Sequence, residues 1–201
     1  MKSKRLLCLA LVLSGNCYAA IVYPKAPDGG RQIVYEHLNP KFLGGVQIEE
    51  LTIGNPYQDY SVGLTNLVSG RLLSETKAGH WMYLLIHGTN TVGMQELIAD
   101  DKTLKLAGFY EADFSDETLE ALRIAEQLPQ IKKQDYEIRR LDIMPIQFVA
   151  VWLHGKSDDI IIPLGATFGR WNALQPYSES QMIKLLKPEA IKRLKTPGFD
   201  L

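Results

Sequence analysis

Hydrophobic and polar positions along this chain alternate with a period of two more often than they recur at 3.6, so the pattern predicts more strands than helices. The run at 81–87 (WMYLLIH) is apolar on both faces and is bounded by Gly79 and Gly88, as expected in the middle of a sheet. Within 146–154 (IQFVAVWLH), Phe148, Ala150 and Trp152 share one face and Val149, Val151 and Leu153 the other, which predicts the central strand. A polar loop at 155–159 leads to a partner strand at 160–164, hence a hairpin. Further strands are expected at 32–35, at 46–53 with a bulge where the phase shifts at Glu49 and Glu50, at 60–67, at 104–110 and at 136–144. The stretch 91–101 fits neither period: Met94, Leu97 and Ile98 align on a helix, but Thr91, Val92 and Gly93 suit one poorly.

The clearest helical stripe lies at 116–128, where Leu119, Leu122 and Ala125, flanked by Ala121, Ile124 and Leu128, fall on one side. Ser115 stands at the N-cap, Phe114 and Leu119 at the staple positions, and Asp116 and Glu117 oppose the dipole in the first turn. Pro129 ends it. Ser178 and Gln181 form a capping box for a helix to Lys187, and Pro188 suits the first position of another helix to Lys195. With no regular alternation of strand and helix, the expected class is α+β: a mainly antiparallel, curled sheet packed against one central helix, with two short C-terminal helices.

The first nineteen residues follow a different pattern. Lys2, Lys4 and Arg5 precede an apolar run at 6–13, followed by Ser14, Gly15 and the small residues of Cys17-Tyr18-Ala19. This is the pattern of a secretory signal peptide cleaved between Ala19 and Ala20, with an apolar zone well short of the roughly 20 residues of a spanning helix. A core helix would need an amphipathic stripe that this stretch lacks, and Asn16 spoils the spacing for lipidation at Cys17, which is the minority reading. Residues 20–30, with Pro24, Pro27 and the pair Gly29-Gly30, are expected to form an irregular lead-in, and 31–201 a single globular α+β domain. The destination is periplasmic or secreted.

Cleavage changes the chemistry of the chain. Both of its 2 cysteines, Cys8 and Cys17, lie in the leader, so the mature protein has no disulfide, thiol nucleophile or thiolate metal site. Loss of the leader removes Lys2, Lys4 and Arg5 from 22 basic residues and none of the 23 acidic ones, leaving a mildly acidic chain. That balance argues against nucleic acid as a partner, and no stable membrane anchor is expected. No phosphate loop, dinucleotide fingerprint or calcium loop occurs, and no cofactor is expected.

Candidate chemistry is sparse. His87 and His154 both close an apolar run just before a glycine, with Asp158 close behind the second. Two imidazoles and a carboxylate suffice for a catalytic zinc or for an oriented general base, provided the strand ends converge. Histidine at a strand end is more often only a polar residue meeting water, and Asp158 and Asp159 have the composition of turn formers. His37 and His80 have no partner at a meaningful spacing. Ser69 lacks a Gly-x-Ser-x-Gly elbow, and Ser178 is occupied by capping. The loop at 165–176 offers Phe168, Arg170 and Trp171 as a binding set for an anion, a ring or an apolar partner. The sequence therefore favours a non-catalytic binding or accessory module for a protein, peptide or envelope component. The alternative is a hydrolase or metal-dependent enzyme near His87 and His154.

Overall fold

The computed structural model describes residues 20–100, 103–110, 112–165 and 171–196, the side chains of 112 and 113 excepted. Long strands dominate it: β4 (Lys77–His87), β5 (Asn90–Asp100), β6 (Thr103–Tyr110), β7 (Tyr136–Ile143), β8 (Phe148–Gly155) and β9 (Asp159–Leu164). With the shorter β1 (Ile21–Val22), β2 (Thr52–Ile53) and β3 (Tyr57–Ser61) they make a 9-stranded sheet of order β6-β5-β4-β3-β7-β8-β9. Pairings are antiparallel except where β1 and β3 run parallel to β7. β1 and β3 share one edge of β7, and β2 and β3 share one edge of β4, so three short segments fill the middle of the sheet.

Period-two alternation sends the apolar side chains of these strands to both faces. One face carries Tyr57, Met82, Leu84, Met94, Ile138, Val151 and Ile162 and is covered by α3 (Ala112–Gln127) through Ala121, Leu122 and Ala125. On the other face, α2 (Leu64–Val68) and α4 (Glu179–Leu194) cover Leu141, Ala150, Trp152 and Ile161. α1 (Gly30–Glu36) covers Trp81, Tyr83, Leu85 and Leu97 on that same side. The expectation of a curled sheet on one central helix is thereby overturned. A sheet apolar on both faces must be covered on both, and it is the dominant element of a mixed α+β fold.

Local expectations divide similarly. The hairpin of β8 and β9, the strand at 104–110 and the capping box of Ser178 and Gln181 are present, and the ambiguous 91–101 belongs to strand β5. The supposed strand at 32–35 is helix α1, because docking Val34 into the core and a Gln32 to Glu36 hydrogen bond of 2.8 Å outweigh β propensity. At 46–53 a 3-10 turn (Ile48–Glu50) replaces most of the strand, and 60–67 splits into the end of β3 and helix α2. α3 starts before Ser115, whose buried hydroxyl accepts from Thr91 Oγ1 at 3.0 Å instead of capping. The two C-terminal helices are one, with Pro188 inside α4. No helix among the described residues is long and apolar enough to cross a membrane.

Candidate functional site

On the α3 face the apolar alternation continues into polar residues beside the start of that helix. Two positions from the buried Tyr57, Met82, Met94 and Ile138 stand Asp59 on β3, His80 on β4, Glu96 on β5 and Arg140 on β7, with Asp142 two further on. The same period that builds the core thus gathers a polar basin from four strands, and Tyr110 of β6 borders it.

Two bulges set the aim of these side chains. The β3–β4 register passes from Gln58↔Trp81 to Tyr60↔Ala78, so Gly79 and His80 together face Asp59. Between β5 and β6 it passes from Glu96↔Gly108 to Leu97↔Leu106, which leaves Ala107 as the extra residue beside Glu96. Gly79 makes room for the basin: a Cβ there would lie 2.6 Å from Asp59 Oδ1 and 3.0 Å from Oδ2.

His80 Nδ1 hydrogen-bonds Glu96 Oε1, and Tyr110 donates its hydroxyl proton to Glu96 Oε2 at 2.8 Å. Ligand-capable atoms of Asp59, His80 and Glu96 all lie within 4.8 Å of one another. Arg140 is paired with Asp142 at 3.4 Å and lies 5.8 Å from the Tyr110 ring and 6.0 Å from that of Phe114. Asp59 Oδ1, Arg140 Nη1 and Asp142 Oδ1 are buried and have no hydrogen-bond partner among the described residues.

These surroundings act on the acids. Burial raises the Asp59 carboxyl above its ordinary value, opposed by His80 and Arg140 and reinforced by Glu96. Burial likewise raises Asp142, against the nearby Arg140 charge. The Tyr110 phenol is pushed up to about 12, chiefly by burial and then by Glu96, so it stays a proton donor at any physiological pH. Beside the basin, an open cleft of about 580 Å³ lined by Ser61, Lys77, Met144 and Leu194 reaches Asp142.

The candidates singled out in the sequence lie elsewhere. β4 and β8 do run in the same direction, but β3 and β7 separate them, so His87 and His154 are three strand spacings of about 4.8 Å apart across the sheet. His87 is exposed, its Nε2 3.7 Å from Glu50 Oε2. His154 Nδ1 is 2.8 Å from Asp159 Oδ1, which also accepts from Trp152 Nε1 at 2.7 Å. Asp158 accepts from the Tyr136 hydroxyl at 2.6 Å and from Gln134, whose carbonyl oxygen in turn accepts from the Lys156 and Ser157 amides at 3.1 Å. That network fixes a turn. Trp171 is buried, packed edge-on against Phe148 at 5.3 Å, and donates to the Gly165 carbonyl at 3.2 Å. Phe168 and Arg170 lie outside the described residues.

The basin residues that sequence reasoning misses include His80, for which spacing along the chain offers no partner. A signal existed: Glu96 interrupts an apolar run, and His80 follows a glycine at the entry of an otherwise apolar strand. Only the register of β4 against β5 brings them together. No family model, curated protein or solved structure matches this chain.

Proposed function

We propose that this protein is an exported, non-catalytic binding module whose recognition centre is the polar basin of Asp59, His80, Glu96, Tyr110, Arg140 and Asp142. The observation that carries this reading is the set of buried atoms without partners, Asp59 Oδ1, Arg140 Nη1 and Asp142 Oδ1, gathered in one place. Each such atom costs about 1–3 kcal/mol when nothing satisfies it, and a bound ligand recovers that cost. A ligand fitting the basin offers positive charge or donors to the acids and an acceptor to Arg140.

Stability of the ligand-free protein tests this without knowing the ligand. A structural polar network loses stability when a member is neutralised, whereas a centre kept for a ligand gains it. Asp59→Asn is expected to raise the thermal midpoint at neutral pH. Because the folded-state value of Asp59 lies above the ordinary 3.8, its ionised form is disfavoured by folding, so the advantage of asparagine fades as pH falls through that raised value towards 3.8. A lower midpoint for Asp59→Asn at neutral pH would sink the reading.

Export rests on the leader pattern and on two hydrogen bonds of Ala20. Ala20 N donates to Asp135 Oδ1 at 2.8 Å, and the Ala20 carbonyl accepts from Tyr136 N at 3.0 Å. Cleavage in front of Ala20 turns that amide into an ammonium group already seated on a carboxylate. N-terminal sequencing of protein recovered from the periplasm or medium checks it: a mature chain starting elsewhere, or retained in the cytoplasm with residues 1–19 intact, contradicts export as described.

A further inference from the structure

We infer that Asp59, His80 and Glu96 form a binding site for one divalent cation of the zinc class. The inference rests on the basin being a binding centre and names what it binds. One imidazole and two carboxylates from adjacent strands, all within 4.8 Å of one another, make a three-ligand set with a coordination position left over. Ligand atoms around a tetrahedral zinc ion lie about 2.0–2.2 Å from it and so roughly 3.3–3.6 Å from one another. Side-chain rotations that close the spread of up to 4.8 Å by about an ångström and part His80 from Glu96 would seat the ion. Two of them, His80 and Glu96, already meet in a hydrogen bond that a metal would replace.

Three features beyond the cluster favour a cation. Asp59 Oδ1 is buried and unpartnered, an acceptor waiting for a positive group. Charge leads to the same place: Arg140 pairs with Asp142, so the carboxylates of Asp59 and Glu96 are the negative groups left for a dication to balance. The Tyr110 hydroxyl holds Glu96 Oε2, the outer-sphere contact that orients a ligating carboxylate. An imidazole nitrogen in the set selects zinc-like ions over magnesium and calcium, which prefer oxygen alone.

The test is a titration of metal-free mature protein with zinc chloride against a chromophoric chelator, with magnesium and calcium chloride in parallel. One equivalent of zinc is expected, bound in preference to both other ions. Tyr110→Phe keeps all three ligands and is expected to weaken zinc by about 10–100-fold, with circular dichroism unchanged. Glu96→Gln and His80→Ala should weaken it further. Zinc bound equally well by His80→Ala and Glu96→Gln, no bound equivalent, or a preference for calcium or magnesium overturns the assignment. If zinc fails while Asp59→Asn still stabilises the ligand-free protein, the basin remains a binding centre for another ligand. If Asp59→Asn destabilises it, the underlying reading fails.

Discussion

Replacing Gly79 by alanine puts a methyl group where the Asp59 carboxylate now lies. The added Cβ would sit 2.6 Å from Oδ1, closer than such atoms approach, and a tight 3.0 Å from Oδ2 and 3.1 Å from Cγ, all atoms at the end of one side chain. Asp59 therefore rotates away while the strands keep their register. Gly79 has no positive φ, so alanine fits its backbone and restricts the unfolded chain, a gain of about 0.4–1 kcal/mol. For a chain of this size that is a rise of roughly 1–4 °C in thermal midpoint. Zinc affinity should move the opposite way, by at least the roughly 10-fold expected when only an outer-sphere partner is lost. Differential scanning fluorimetry and chelator competition on the same samples read both quantities. Unchanged zinc affinity would refute the placement of Asp59 as a ligand, and a midpoint lowered by many degrees would refute the claim that only a side-chain end must yield.

Other perturbations separate scaffold from site. Gly155→Ala has no such escape, since its Cβ would meet the Asp158 carbonyl at 2.5 Å, Tyr136 at 2.6 Å and Gln134 at 2.8 Å. Overpacking of this kind costs about 1–3 kcal/mol, so the urea midpoint should fall while zinc binding survives. Ser178→Ala removes the capping box of α4 and should cost about 1 kcal/mol in the same assay. The double variant His87→Ala, His154→Ala should leave zinc affinity as it is, because neither imidazole reaches the basin; a loss would return attention to the strand ends.

How far the sequence carries depends on the length scale of the interaction. The β8–β9 hairpin, the α4 capping box and the buried stripe of α3 were all legible, because each is fixed by residues within a few positions of one another. Helix α1 was not: Ile33 and Val34 favour a strand locally, and only the docking of Val34 into the core cluster that also holds Tyr83 and Leu85 decides for a helix. The second covered face was missed for a related reason. Apolar residues on both sides of 81–87 and 146–154 demand cover on both sides, yet α2 and α1 are too short to leave a periodic signal. The basin is the extreme case, since Asp59, His80 and Glu96 meet only through the β3–β4 and β4–β5 registers and two bulges. The paired His-Gly strand ends drew attention through similarity in sequence, which topology does not convert into proximity.

The most direct test of the basin as the functional centre is anomalous diffraction at the zinc edge from crystals of the protein grown with zinc chloride. The account predicts one strong peak on the α3 face, about 2.0–2.2 Å from an imidazole nitrogen of His80 and carboxylate oxygens of Asp59 and Glu96. Zinc found only at other residues, such as His87 or His154, with none in the basin, would contradict it.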